Sequence, residues 1–368
     1  MAAISLRRQL TMAEGSPVSG AADAVPWLPA GKARLERWLA DTHVAEGEVT
    51  DVRILTGGTQ NLLVRFQCGA RNLVLRRPPL DRAGGDRTIR REHAVLTALS
   101  GTDVPHPRLC GLCEDVSILG GIFLVTDEVD GFNATVTMPG RATTDPAFRR
   151  RMGLALVDGL AELAKIPAHG DALQSLGSAE GFIGRQVGRW ASQLEGYSSI
   201  DAWSGPAALG PVAAVGAWLE TNPPGDFQPG LMHGDYHIAN VMFRAEHGGL
   251  AAILDWELAA LGDPMLDLGR LLIAWPNERN EGLLSLKVEP WDGFPRREDL
   301  IAHYAERTGR SLVSLTWFEV LACYKFAIVL EGTHARAQAG LADPATGKRL
   351  HQSARGMIAR AIDTIDRN

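Results

Sequence analysis

Apolar positions change their period partway along the chain, and this change is the first guide to its architecture. From Lys32 a helical stripe (Leu35, Trp38, Leu39) leads into three short runs at 52–55, 61–67 and 72–76, separated by Gly57-Gly58 and by Cys68-Gly69-Ala70-Arg71. Short β-prone runs bounded by glycine turns predict an antiparallel meander. Segment 86–100 then carries Ile89, His93, Leu96 and Leu99 at helical spacing. Beyond the Val104-Pro105-His106-Pro107 break, two more strand-like runs are predicted at 116–119 and 122–126. After Gly131 the pattern becomes helical and long. Asp145-Pro146 offers an N-cap followed by proline at the first helical position, and Met152, Leu156, Leu160 and Leu163 share the next face. Further helices are predicted over 184–194, 211–220, 264–274, 297–308, 314–335 and 347–365. One β signal interrupts them: a run at 241–244, a Glu246-His247-Gly248-Gly249 turn and a run at 250–254. The predicted class is α+β. A flexible Ala/Gly/Ser/Pro-rich leader at 1–28 precedes a small antiparallel β lobe at 29–130 and a larger, mainly helical lobe at 131–368 that contains one hairpin.

Length and composition support this reading and narrow the partners. A chain of 368 residues exceeds the usual size of one compact core, so two lobes are the expectation. With 45% hydrophobic and 22% charged residues it has the composition of a folded globular protein. A formal net charge of -6 argues against a nucleic-acid partner, which would need clustered positive charge. No apolar run reaches the roughly 18 to 20 residues that cross a bilayer, and residues 1–19 contain arginines but no apolar signal core. A cytoplasmic location without membrane association is expected. Cys68, Cys110, Cys113 and Cys323 are too scattered for a disulfide framework. The Cys110-Gly-Leu-Cys113 spacing lacks a second ligand pair nearby, so plain buried thiols are expected.

The candidate chemistry lies around the hairpin. Asn240 precedes its first strand and Asp255 ends its second, so a tight turn should make the two side chains neighbours. A carboxylate and an amide oxygen side by side suit Mg²⁺, which takes a few hard protein oxygens and completes its shell with water and substrate phosphates. Asp235 lies five residues before Asn240, near such a metal but not tied to it. Phosphoryl transfer needs a held nucleotide, neutralised phosphate charge and a carboxylate that orients the acceptor hydroxyl. Asp235, Asn240 and Asp255 supply the last two, and the H-x-D-x-x-x-x-N spacing followed by an Asp after the next strand matches the kinase catalytic and metal loops.

The run His233-Gly234-Asp235-Tyr236-His237-Ile238-Ala239-Asn240, then Ile253-Leu254-Asp255-Trp256-Glu257, then Leu261-Gly262-Asp263-Pro264-Met265-Leu266-Asp267-Leu268 resembles the aminoglycoside phosphotransferase and choline kinase family. It looks closest to the branch containing the kinase-like domains fused to some acyl-CoA dehydrogenases, and the likeness extends from about Val49 to the C-terminus. The resemblance implies a protein-kinase-like two-lobe fold and an ATP- and Mg²⁺-dependent kinase acting on a hydroxyl of a small molecule. It implies Asp235 as the catalytic residue, Asn240 and Asp255 as metal ligands, and His233, Asp263 and Asp267 as supports of the catalytic loop. Glu257 stays open between a second metal contact and a surface residue.

In the first lobe the family places a phosphate-covering loop at Thr56-Gly57-Gly58-Thr59-Gln60-Asn61, so Gly57, Gly58, Thr59 and Asn61 become nucleotide-binding candidates. Without the second lobe the same residues read as a hairpin turn. Kinases carry a lysine on the third strand, where this chain reads Leu73-Val74-Leu75-Arg76-Arg77-Pro78-Pro79. Arginine can bind phosphate through forked donors. Arg76 fits better, although one register step would substitute Arg77. Glu92 occupies the place of that residue's glutamate partner, and Glu128 and Val129 that of the hinge meeting adenine; GTP stays open as an alternative nucleotide. The basic run Arg82, Arg87, Arg90 and Arg91 reads as a solvated helix face, with a phosphorylated substrate as the alternative. Helices 184–194 and 314–335 are expected to build the acceptor pocket, with Tyr197, Trp203, Trp275, Glu278 and Glu331 lining it. Acceptors from aminoglycosides to hydroxyacyl thioesters fit the resemblance. A nucleotide-binding pseudokinase with a regulatory role is the rival, supported by the missing lysine.

Overall fold

Alternation along Arg71–Arg77 decides what the N-terminal sheet does: Leu73 and Leu75 point to one face and Val74 and Arg76 to the other. This strand, β3, pairs antiparallel with β2 (Leu62–Cys68) on one side and β5 (Phe123–Asp127) on the other; β1 (Val49–Ile54) and β4 (Leu109–Cys113) close the five-stranded order β1-β2-β3-β5-β4. Leu73 and Leu75 pack with Leu35 and Leu39 of helix α1 (Leu28–Asp41) in a separate small core. The opposite face carries Val74 and Arg76 into a cleft, beside which lies helix α2 (Gly85–Leu99). The computed structural model describes residues 28–55, 61–79, 84–277, 282 and 287–367; the leader expected at 1–28 and the loop residues Gly57, Gly58 and Thr59 lie outside these, apart from residue 28.

Two expectations for this region are corrected. Residues Val116–Leu119 form a single helical turn instead of a strand, because the Asp115 side chain accepts from Ser117 N and Gly120 takes the left-handed conformation that stops the turn. The strand lies earlier, at Leu109–Cys113, so the Cys-x-x-Cys pair sits on β4. All four cysteines are free, with Cys110 half-buried and the others buried.

The remainder is mainly helical: α3 (Pro146–Leu163), α4 (Phe182–Gly196), α5 (Val212–Thr221), α6 (Met265–Ala274), α7 (Arg297–Thr308), α8 (Leu315–Gln338) and α9 (Pro344–Asp366). Asp145 caps α3 through Ala147 N and Phe148 N, with Pro146 at its first position. Helix α8 is buried along nearly its whole length, and the larger core forms around it. Two small ladders position the candidate chemistry. Strands β7 (Val241–Phe243) and β8 (Leu250–Ile253) make the expected hairpin, and β6 (Gly230–Met232) pairs antiparallel with β9 (Ala260–Gly262). Three-residue strands carry too little periodic signal to be read in advance, so the second ladder was not expected. No helix among the described residues is long and apolar enough to cross a membrane.

Candidate active site

The two ladders bring the ends of β6, β7 and β8 together, and the loop 233–240 is fastened between them. Asp267, in the first turn of α6, accepts from His233 N at 2.7 Å and Gly234 N at 2.8 Å. The His233 ring accepts from Asp235 N at 3.2 Å through Nδ1, so its Nε2–H donates to the Leu254 carbonyl at 2.8 Å. One imidazole thus ties the catalytic-loop candidate to the end of the hairpin. Asp263 accepts from Met265 N at 2.9 Å and from Gln228 N at 3.1 Å, and Arg310 meets it with both terminal nitrogens. His233 and Asp267 thus contact the 233–240 loop directly, whereas the contacts of Asp263 are to Gln228, Met265 and Arg310.

Gly234 shows why this loop tolerates no side chain. Its φ is +84°, and a Cβ would lie 2.2 Å from the Leu258 carbonyl oxygen. Gly234→Ala is therefore expected to cost about 1–3 kcal/mol from backbone strain alone, read as a lowered urea midpoint with a wild-type denaturant slope.

Asp235 is 1% exposed. Its Oδ1 accepts from Arg270 Nε at 2.8 Å, and His237 Nε2 is 3.5 Å away. Burial opposes ionisation, but Arg270, His237 and His233 outweigh it and hold the carboxyl well below the usual carboxylate range. His237 itself is pushed down by burial. Its Nδ1 accepts from Ala239 N, leaving Nε2–H toward Asp235. The Asn240 side chain donates to the Asp235 carbonyl at 3.0 Å and lines the cleft.

Opposite them stands Arg76, which donates to Glu92 Oε1 at 2.9 Å and to Asp255 Oδ1 at 2.8 Å, with Glu257 Oε2 at 3.6 Å. Burial disfavours its charge, yet Glu92, Asp255 and Glu257 together raise it above the usual guanidinium range. Arg77 points to the other face and donates to the Leu119 carbonyl, so of the two arginines Arg76 is the one that faces the cleft. Asp255 has φ +68°, a left-handed conformation that Asp tolerates better than most residues, and Trp256 behind it is fully buried with Nε1–H on the Ile253 carbonyl.

Arg76, Glu92, Glu128, Val129, Asn240 and Asp255 line one cleft of about 380 Å³, with Leu63, Val74, Leu124 and Met242 as apolar walls. The N–H of Glu128 is used by the Asn72 carbonyl, and its side chain meets Arg65. Asn61 is buried at the start of β2. Asn240 and Asp255 offer oxygens of the hard type that fit Mg²⁺, and they face the same cleft.

Three neighbours of the site were not anticipated. Arg270 lies on α6 one turn after Asp267, with its guanidinium 4.2 Å from the Phe326 ring centre. Lys325 donates to the Gly234 carbonyl at 2.7 Å and is buried on α8. A lone lysine inside Ala322-Cys323-Tyr324-Lys325-Phe326-Ala327-Ile328 was a signal available in the sequence. Arg189 of α4 reaches the same region.

The expected pocket residues are largely elsewhere. Glu331 is fully buried, accepting from Trp203 Nε1 at 2.7 Å and facing His351 Nδ1 at 2.7 Å; Tyr197 donates to the Ile328 carbonyl; Trp275 packs on Trp291 and Phe294. Glu278 lies outside the described residues. Their aromatic or acidic character suggested a lining, but Glu331 and Trp203 are buried, Tyr197 is half-buried against α8, and Trp275 lines a different cavity, beside Trp291 and Phe294.

An antiparallel sheet set over a helical body, with a cleft between them that gathers carboxylates, an amide and an arginine, is the architecture of kinase-like phosphotransferases. The profile of the phosphotransferase enzyme family matches residues 51–300, and the chain belongs to that family. It is 31% identical over 303 residues to acyl-CoA dehydrogenase family member 11 of Pongo abelii and 27% identical over 318 residues to acyl-CoA dehydrogenase family member 10 of Mus musculus. These matches take in 79% and 83% of this chain but 37% and 28% of the relatives, so the chain spans between 28% and 37% of the length of these curated proteins. Among solved structures, one described as a candidate aminoglycoside phosphotransferase from Ralstonia eutropha JMP134 superposes with a TM-score of 0.75 and 26% identity, covering 91% of this chain and 98% of that one. Aminoglycoside phosphotransferase APH(4)-Ia, solved with AMP-PNP and hygromycin B, shares the fold at a TM-score of 0.55 and 16% identity over 90% of this chain and 98% of its own.

Proposed function

We propose that the chain transfers the γ-phosphoryl group of ATP to a hydroxyl of a small molecule, with residues 29–130 as the nucleotide lobe and 131–368 as the catalytic lobe. The observation that carries the reading is that Arg76, Asn240 and Asp255, from three separate segments, line one cleft, while Asp235 lies buried on the same loop as Asn240, whose side chain donates to its carbonyl. Asn240 and Asp255 would hold Mg²⁺, which when bound neutralises the phosphate charge. Asp235 orients the acceptor hydroxyl and takes up its proton. Because Arg270 holds Asp235 ionised, its basicity is low, which suits a loose transition state in which positioning and charge stabilisation dominate. Arg76, held by Glu92, would meet the α and β phosphates, and the loop at 56–61 would cover them. The acceptor is an aminoglycoside-like compound, another hydroxylated metabolite or a hydroxyacyl thioester, and the setting is cytoplasmic.

One observation favours a second reading, a nucleotide-binding pseudokinase. Arg76 is paired with Asp255, the residue that would hold the metal, so nucleotide entry must exchange this ion pair for phosphate and metal contacts. Thermal denaturation with ATP, with and without Mg²⁺, tests whether the exchange occurs. At 100 times its dissociation constant, Mg²⁺-ATP should stabilise the chain by about 2.7 kcal/mol, and ATP with EDTA by clearly less. Equal shifts in both conditions would remove the metal assignment.

A further inference from the structure

A second cavity, of about 390 Å³, adjoins the 255–258 segment at Glu257 and Leu258, where the first cleft adjoins it at Asp255 and Trp256. Gly234 and Glu257 form part of its wall, so it borders the catalytic loop at Gly234, whereas the first cleft borders it at Asn240. A phosphoryl donor in one cavity and an acceptor in the other would flank the loop that carries the buried Asp235, with Gly234 in the wall of the second cavity and Asn240 in that of the first.

The charge on its wall is one-sided. Arg87 and Arg91 from α2, Arg189 from α4 and Lys325 from α8 all line it, and Glu257 is the single acidic residue among the described lining. Glu257 already lies 3.6 Å from Arg76. Among the described residues, no carboxylate forms an ion pair with Arg87, Arg91, Arg189 or Lys325, whereas the neighbouring Arg90 is paired with Glu114. Lys325 is 7% exposed, and its one hydrogen-bond partner is the neutral Gly234 carbonyl. Burial, with Arg189 and Arg270 behind it, lowers its pKa to about 8 against the pull of Asp235 and Asp267. Arg91 is likewise lowered by burial, then by Arg189 and Arg87. Four cations from three helices, facing one cavity and repelling one another, are at their most favourable when an anion lies among them.

We infer that this cavity is the acceptor site and that it selects an acceptor bearing an anionic group, a carboxylate or a phosphate, beside the hydroxyl that is phosphorylated. The inference rests on the proposed phosphotransferase function and specifies its substrate class. Arg87, Arg91, Arg189 and Lys325 bind the anion, Trp190 and Phe182 pack against the apolar part of the acceptor, and the hydroxyl is presented at Gly234-Asp235. The same charges act against a polycationic amino sugar, which would add like charge to a wall that offers it no free carboxylate. Of the basic run, Arg87 and Arg91 on α2 form one half of this site, Arg90 faces Glu114 and Arg82 lies outside the described residues; the other half, Arg189 and Lys325, is far away in sequence.

Binding of paired probes to the full chain, with the nucleotide cleft saturated by Mg²⁺-AMP-PNP, tests this whatever the natural acceptor is. The probes are titrated in a thermal-shift assay: 3-hydroxybutyrate against 3-hydroxybutyramide, and glycerol 3-phosphate against glycerol, with kanamycin as the polycation. At least one anionic member should bind ten or more times tighter than its neutral counterpart, and the pair that shows this separates a carboxylate from a phosphate. Kanamycin should give no stabilisation. Arg91→Gln with Arg189→Gln should remove the preference while the Mg²⁺-AMP-PNP shift stays; Arg189→Gln alone, at an exposed position, should reduce it if the double variant does not fold. Equal binding of neutral and anionic partners, stabilisation by kanamycin, or a preference that survives both variants would overturn the inference. Failure of AMP-PNP itself to bind would count against the phosphotransferase reading, and the anion preference would still be measurable.

Discussion

Asp235→Asn is expected to lower turnover by on the order of 10²- to 10⁴-fold, the usual contribution of a positioned acid or base, while Mg²⁺-ATP binds within about twofold of wild type. The substitution removes the proton acceptor and leaves Asn240, Asp255 and Arg76 in place. It also takes the charge partner from Arg270, whose Nε lies 2.8 Å from Asp235 Oδ1 in a fully buried setting. An uncompensated buried charge costs about 3–5 kcal/mol, so the single variant should denature earlier. Adding Arg270→Gln should restore much of the stability and none of the turnover. That separation distinguishes a chemical role from a structural one. Because the Asp235 carboxyl is held below its ordinary range, its contribution to stability is present above the pKa of the unfolded chain's aspartate and is lost as the pH falls through that value toward the folded one. Acid denaturation should therefore be less steep for Asp235→Asn with Arg270→Gln.

Asp255→Ala is the second large effect. It should abolish the Mg²⁺-dependent part of nucleotide binding and reduce turnover by on the order of 10³-fold, since several kcal/mol of charge stabilisation in the transition state is lost. Metal-free nucleotide binding should not fall, and should rise if anything, because Arg76 is released from its 2.8 Å contact with Asp255. Calorimetric titration of ATP in EDTA and in Mg²⁺ reads both numbers from the same variant. If Asp255→Ala kept a full Mg²⁺ response, Asp255 would be a clamp for Arg76 and not a metal ligand.

Much of this site was legible in the sequence because its residues are local. His233, Asp235 and Asn240 fall within eight positions, the hairpin that brings Asp255 back is short, and Asp263 and Asp267 follow within one turn of α6. Spacing is enough to place such residues. The five-stranded sheet was also readable, except that Val116–Leu119 is apolar and short, so its periodicity could not separate a strand from one capped helical turn. What was hidden depends on contacts between distant segments. Lys325 meets Gly234 across 91 positions, and Arg189, Arg91 and Lys325 share a cavity without any common pattern. The basic run on α2 read as a solvated face because, seen on one helix, it had no facing wall. Tyr197, Trp203 and Glu331 erred in the other direction: their residue types suit a binding pocket, but hydrogen bonds between helices absorb them.

Phosphoryl transfer itself is the most direct test of the proposed chemistry. ³¹P NMR of Mg²⁺-ATP incubated with the chain and a set of hydroxylated acceptors, anionic, neutral and cationic, follows it without a coupling enzyme. The predicted result is loss of the γ-phosphate resonance together with a new phosphomonoester resonance for an anionic acceptor, both absent with Asp235→Asn. A triphosphate spectrum that stays unchanged across the whole set, in a chain that binds Mg²⁺-ATP, would contradict it.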